Sequence, residues 1–285
     1  MTGAPRPCAD PRDEMLRTNL AQRDYYDQTD GGAISEINSP ATNLWRWLRA
    51  RASAAVSDTM RAGFYARHRE WIGDLAGKKV LELGCGTGTA LSEYLADHAG
   101  EYHAIDLSPV QVAQLQTRLG PRPNARFHSG DILDNGFTET GFDVIYAHSV
   151  FHHFRHIEVL FDRLDTLAAP QAKIITLDPL QSWLPARLFR AAFRPFQTDA
   201  AWEFPFDRAT LRKIETHFIA ERSIGLFERA KYALILGMIS PRLGARFGDA
   251  WYGADLARDS TGSALRKTGA IQISYLLRPR TGAAA

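Results

Sequence analysis

The sequence predicts an α/β fold built on a doubly wound, mostly parallel sheet of seven strands. Three observations carry this. Short apolar runs alternate with amphipathic stretches from about residue 75 to residue 180. The first run, Val80-Leu81-Glu82-Leu83, passes straight into Gly84-Cys85-Gly86-Thr87-Gly88-Thr89, and a helical stretch from Ala90 follows. Later runs leave the acids Asp106, Asp131 and Asp178 at their ends. Strand, glycine turn, helix, with acids along the carboxyl edge, is how such a sheet presents a nucleotide-type site.

Composition bounds the function. The chain has 285 residues, 45% hydrophobic and 23% charged, enough to bury a sizeable core. A net charge of +2 argues against nucleic acid as the main partner. Cys8 and Cys85 are too few for a disulfide framework or a metal-type cysteine pairing, which fits a reducing cytoplasm. The Pro-rich start lacks a signal-peptide core, and the longest apolar run, Tyr232 to Ile239, is too short to span a bilayer. A soluble, cytoplasmic protein is expected.

In chain order, residues 1 to about 14 read as disordered. Leu20 to Asp27 precedes a turn at Asp30-Gly31-Gly32, and Thr42 to Trp71 reads as one helix with Leu44, Leu48, Val56, Met60 and Phe64 at multiples of four. Arg46, Arg49 and Arg51 form a solvated face, or meet an acidic group on a substrate. After the first strand and its glycine turn, Leu91 and Leu95 mark a helix that Gly100 stops. Tyr102 to Asp106 is the second strand; Ser108 and Pro109 start the next helix. Ala125 to Ile132 covers the third strand and its exit, and Gly141 to Ala147 the fourth. Ile157, Leu160, Leu164 and Leu167 stripe a helix, and Ala172 to Pro179 is the fifth strand. Trp183 to Phe196 is basic and amphipathic, with Arg187, Arg190 and Arg194 on one face. Asp207 to Phe218 reads as a helix, Phe218 to Gly225 as the sixth strand, and Ala270 to Leu277 as the closing strand.

Which ligand does the glycine turn hold? Thr89 breaks the dinucleotide pattern G-x-G-x-x-G/A, and no Walker Gly-Lys-Ser/Thr is present. Glu-x-Gly-x-Gly-x-Gly at Glu82 to Gly88 instead resembles the first motif of the class I S-adenosylmethionine-dependent methyltransferases, small-molecule type, a Rossmann-like family. The resemblance implies S-adenosylmethionine as cofactor, with Glu82, Gly84, Cys85, Gly86 and Gly88 at the loop. It places the ribose on Asp106, next to Leu107, because one carboxylate offers two acceptor oxygens to two hydroxyls. It places adenine at Asp131 and Ile132, and His148 beside the cofactor. Tyr25 and Tyr26 match the tyrosines of an N-terminal lid; the alternative is that they pack a helix on the core.

Phe142-Asp143-Val144 followed by His152-His153 looks like the Asp-x-Val…Leu-His-His segment of many small-molecule methyltransferases. In related sugar methyltransferases a histidine of that pair and an acid after the fifth strand act near the acceptor. That implies His152 as the base, Asp178 orienting it or the acceptor, and His153 as the second candidate; the alternative is that both histidines cap and pack the next helix. His148, His152 and His156 also stand at metal-ligand spacing, but no companion ligands accompany them, so no metal is expected.

The expected organisation is a helical lid over 1–74 and a catalytic domain over 75–285, with cap inserts at about 180–207 and 226–267. The expected activity is methyl transfer to a small, hydrophobic or aromatic acceptor of secondary-metabolite or lipid kind, reached under the cap. The basic face of the first insert is also a candidate for peripheral membrane contact. The residues leave three alternatives open: a nicotinamide oxidoreductase, a different use of the same sulfonium such as cyclisation, and a non-catalytic binding or membrane-surface protein. They leave the oligomeric state open.

Overall fold

The computed structural model describes residues 10–28, 37–267 and 269–280. Helix α1 (Pro11–Gln28) begins where disorder is expected from the sequence. Met15 is buried in the core, and the Arg12 guanidinium donates to Leu133 O at 2.6 Å, which ties this turn down. Residues 1–9 of that stretch lie outside the described residues. The one helix expected over Thr42–Trp71 is three: α2 (Pro40–Ser53), α3 (Asp58–Arg61) and α4 (Gly63–Ile72).

The sheet is centred on β1 (Lys79–Leu83). From it the chain moves outward through α5 (Ser92–His98) to β2 (Glu101–Asp106), then through α6 (Pro109–Leu119) to β3 (Ala125–Ser129), all parallel. It then crosses back to β4 (Phe142–His148) on the other side of β1. Helix α7 (Ile157–Leu167) leads to β5 (Ala168–Pro179), parallel to β4. The reversal of direction at β1 and β4 opens a crevice beyond their carboxyl ends, where open α/β sheets bind ligands.

Beyond β5 come α8 (Leu184–Phe193), α9 (Arg208–His217), β6 (Phe218–Leu226), α10 (Ala230–Ile239), α11 (Pro241–Leu256), β7 (Ser260–Thr261) and β8 (Gln272–Pro279). The strand order is β3-β2-β1-β4-β5-β8-β6-β7, with β8 antiparallel to both neighbours. The doubly wound sheet thus has the expected strands plus β7, a two-residue edge strand that makes eight. Alternation along the strands feeds two cores. Leu81, Leu83 and Ile145 pack on the face covered by α7 and α9, and Val80, Val144 and Tyr146 on the face covered by α4, α5 and α6.

Helices α2, α8, α10 and α11 form a cap. Helix α2 meets α10 and α11 across small residues: a Cβ on Gly248 would lie 1.5 Å from Ala55 O, so only glycine permits this approach. That contact engages the backbone just after α2, where the expected long helix is interrupted. On its other side α2 reaches α8, with the Trp45 and Phe189 rings 4.3 Å apart. No helix among the described residues is long and apolar enough to cross a membrane.

Candidate active site

The crevice is lined by Leu83, Gly84 and Gly86 after β1, by Ile105, Asp106 and Leu107 at the end of β2, and by Gly130, Asp131 and Ile132 after β3. Gly84 has φ +62, and a Cβ there would meet Val150 Cγ2 at 2.4 Å. The position therefore needs glycine both for its backbone and for its packing. Behind the loop, the buried Glu82 accepts from Ser92 Oγ at 2.7 Å and from the Tyr102 hydroxyl at 2.5 Å. Ser92 Oγ in turn accepts from Thr89 N at 2.7 Å, so Glu82 braces the loop from within. Burial lifts its carboxyl to about 7 against those hydrogen bonds.

Asp106 accepts Gly86 N–H on Oδ2 at 2.8 Å and Ser108 N–H on Oδ1 at 3.0 Å. Burial raises its pKa, and the two backbone donors work against that rise. Asp106 lines the crevice and each of its oxygens can accept a further hydrogen bond, which suits a vicinal diol. Asp131 holds Leu133 N–H at 2.9 Å and the Asn19 amide of α1 at 2.8 Å. Helix α1 lies across the opening: Asn19, Gln22 and Tyr26 line it, and Asp27 accepts from Ser108 Oγ at 2.6 Å.

Past β4, Ser149 carries φ +60, an uncommon conformation for a residue with a side chain, and it lines the crevice. The turn sends the chain into His152 and His153. His152 is buried, its Nδ1 2.8 Å from Asp178 Oδ1 and its Nε2 3.3 Å from Glu203 Oε2. Burial alone would lower its pKa; the hydrogen bonds and charges of the two carboxylates outweigh it and raise it to about 9. His153 is the opposite. Burial and the neighbouring His152 push it down to about 4. Its Nδ1 lies 3.0 Å from Trp202 O; a carbonyl only accepts, so Nδ1 carries the proton and Nε2 keeps its lone pair. His153 lines the crevice.

A second cavity, about 910 Å³, lies under the cap. That is near the upper end of the roughly 300–1,000 Å³ typical of small-molecule sites. Trp45 and Leu48 of α2, Phe189 and Phe193 of α8, and Leu234 and Met238 of α10 line it, with Arg190 and Glu203 among its polar groups. Glu203 is the link between the two spaces. It walls the cap cavity and also approaches His153 Nδ1, at 3.9 Å, and His152. Burial would raise its carboxyl, and the hydrogen bond and charge of His152 hold it below the usual range.

Of the residues proposed from the sequence, the crevice collects Tyr26, Gly84, Gly86, Asp106, Leu107, Asp131, Ile132 and His153. Others stand back from it. Glu82 braces the loop, and Gly88 is needed because a Cβ there would meet Leu115 at 2.6 Å. Cys85 is buried in the core, and the His148 ring stacks on Phe64 with centroids 5.7 Å apart. Tyr25 reaches Thr198 by its hydroxyl at 3.0 Å and packs edge-on to Trp202. His152 and Asp178 form the layer behind His153. The spacing of His148, His152 and His156 is not helical: they fall at a strand end, in a short 3-10 turn and at a helix cap. His152, His153 and Glu203 do offer ligand atoms within 4.8 Å of one another, but His152 Nε2 and His153 Nδ1 are already engaged by Glu203 and Trp202 O. Asn19, Gln22, Gln111 and Ser149 in the crevice, and Glu203 in the cap cavity, are residues that the motifs did not reveal. Asn19, Gln22 and Tyr26 share one helical face, which is the signal that could have found the first two.

Residues 81–174 match the family model described as a methyltransferase domain. The chain is 35% identical over 100 residues to magnesium-protoporphyrin O-methyltransferase of Rhodobacter capsulatus, covering 34% of this chain and 42% of that one. It is 25% identical to the mitochondrial ubiquinone biosynthesis O-methyltransferase of Schizosaccharomyces pombe, over 60% of this chain and 65% of that one. The matched part covers less than two thirds of the length of either relative. The crystal structure of an S-adenosylmethionine dependent methyltransferase from Mesorhizobium loti shares the fold at TM-score 0.50 and 14% identity, covering 75% of this chain and 96% of that one. The bare glycine backbone and the two acids Asp106 and Asp131 fit S-adenosylmethionine, and residues 81–174, which contribute much of this crevice, are similar to the methyltransferase domain of S-adenosylmethionine-dependent enzymes.

Proposed function

We propose that the protein transfers the methyl group of S-adenosylmethionine to a small, largely apolar acceptor seated in the cap cavity. The observation that carries this is Glu203, which belongs at once to the cavity wall and to the histidine pair. Gly84, Gly86, Asp106 and Asp131 would hold the cofactor, and α1, through Asn19, Gln22 and Tyr26, would close over it and exclude water. The cofactor supplies an electrophilic methyl on a sulfonium; the chain's part is to align the acceptor behind that carbon and to take its proton.

For the base we favour His153 over His152. A base needs a free lone pair at working pH. His153 is neutral, with Nδ1–H fixed on Trp202 O and Nε2 open. His152 is a cation with both nitrogens bound, so it positions Glu203 and Asp178 rather than taking a proton. Cys85 is buried and free, which supports a reducing compartment such as the cytoplasm.

The test is incubation of the protein and S-adenosylmethionine with a metabolite extract, followed by mass spectrometry. An apolar compound should gain one methyl group as S-adenosylhomocysteine accumulates. Cofactor turnover that yields a product with any other mass change refutes methyl transfer, and methylation confined to polar compounds refutes the cavity assignment.

A further inference from the structure

Helix α8 is apolar on two sides. At a water-facing surface its leucines would point inward and its arginines outward. Here Phe189, Phe193 and Arg190 line the cavity, with the exposed Arg187 at its edge, while Leu184, Leu188 and Ala192, at four-residue intervals, are exposed on the other side. The neighbouring cap helices repeat the pattern. Leu44 and Trp47 on α2, Leu184 and Leu188 on α8, and Tyr232 and Ile239 on α10 are each more than half exposed. Ordinary proteins scatter such residues; a grouping of them marks an interaction site.

Two further features say what covers this surface. The first is charge. Helices α2, α8 and α10 carry six basic residues, of which Arg49 and Arg187 are exposed, and no acidic residue, in a chain with 34 basic and 32 acidic residues overall. Exposed Arg242 and Arg246 follow at the start of α11. The second is the cavity. Phe189 and Ile235 both line it and remain about two-fifths exposed, which places its mouth within the same apolar surface.

We propose that the cap docks on a lipid bilayer bearing anionic headgroups. The leucine stripe of α8 and the apolar faces of α2 and α10 enter the boundary between headgroups and acyl chains, and the arginines at their margins meet phosphates. The mouth then opens into the bilayer, so an apolar acceptor reaches the cavity without crossing water. The docking stands apart from the chemistry of transfer, and its test needs no acceptor.

The test is flotation of the full chain with phosphatidylcholine vesicles, with and without phosphatidylglycerol, in the presence of S-adenosylhomocysteine. The protein should float with the anionic vesicles and be released by salt. Leu188→Glu and Ile239→Glu, both at exposed sites, should each weaken partitioning by about tenfold, since a charge replaces buried apolar area. Ile219→Glu, at an exposed position of β6 away from the cap, should float like the wild type. Calorimetric titration of S-adenosylhomocysteine should be unchanged in all three, showing that the fold is intact. Wild-type protein that stays with the pellet, or cap variants that float undiminished, would overturn the proposal. So would a lipid-free dimer, seen by sedimentation velocity, that the cap variants dissociate; that result would assign the surface to a second copy of the chain.

Discussion

Glu203 Oε2 lies 3.3 Å from His152 Nε2, across the ring from Asp178 Oδ1 at 2.8 Å from Nδ1. Two carboxylates thus hold one buried imidazolium, and burial together with that charge keeps the adjacent His153 neutral. The pair titrates in opposite directions although the two residues are neighbours in sequence.

The first consequence is kinetic. His153→Ala should lower kcat by about 10²–10⁴-fold, the usual range for loss of a positioned base. Affinity for S-adenosylhomocysteine should stay within about threefold of wild type, measured by calorimetry. Because His153 titrates near 4, activity above pH 6 should show no limb belonging to it. A His153→Ala enzyme with wild-type turnover, alongside an inactive His152→Ala, would return the base role to His152.

The second concerns stability and pH. The folded pKa of His152, about 9, lies above the 6.5 or so of a free imidazole. Its contribution to stability is therefore fully present below about pH 6.5 and is lost as pH rises through 9, on the order of 3 kcal/mol at most. Glu82, raised by burial to about 7, acts in the same direction at lower pH, losing stability as pH rises from about 4.5 through 7. Urea titrations across pH should show the alkaline loss, and Glu203→Gln should shrink the part between pH 6.5 and 9. The ring nitrogens of His152, followed by NMR, should titrate lower in that variant. An unchanged alkaline loss would show that Glu203 does not hold the proton on His152.

A third prediction isolates the cofactor. Asp106→Ala leaves Gly86 N–H and Ser108 N–H without their acceptor and removes the carboxylate proposed to hold the ribose. Affinity for S-adenosylhomocysteine should fall by about 1.5–3 kcal/mol, as for hydrogen bonds to a charged group. Calorimetry on a variant with native circular dichroism decides it. Wild-type affinity there would remove Asp106 from the site.

The fourth separates two costs at one glycine. Gly84→Ala should destabilise both by the left-handed backbone, about 1–2 kcal/mol, and by collision with Val150 Cγ2 at 2.4 Å. Adding Val150→Ala should relieve the collision and leave the backbone cost. In denaturant titrations the double variant should lose less than the sum of the singles. Strict additivity would show that Val150 is not what excludes the side chain.

What the sequence made legible was whatever lies within one βα unit. Gly84, Gly86 and Asp106 were readable because strand, turn and helix follow one another, and the register then brings β2 beside β1. The roles of His152 and His153 were not readable, because partners far along the chain decide them: Trp202 is 49 residues from His153. Glu203 belongs to no motif and becomes visible only when the cap folds back. The broken helix after Ser53 has the same origin, since the opposing surface at Gly248 comes from the other end of the chain. For α8, periodicity correctly grouped the arginines but could not say which side was inside.

The seam between Ala55 and Gly248 also bears on the order in which the protein is made. Strands β1 to β5 can pair as soon as they leave the ribosome, since every contact among them lies within residues 79–179. Helix α2 emerges before all of them, yet the glycine surface it rests on arrives only with residues 237–248. Until then Ala52, Ala55 and Val56, which are buried in the finished fold, stand uncovered on a half-built chain. The earliest helix of the cap is thus the one that waits longest for a partner, and a nascent chain stalled near residue 230 would hold the crevice beyond β1 and β4 beside an unroofed cap cavity.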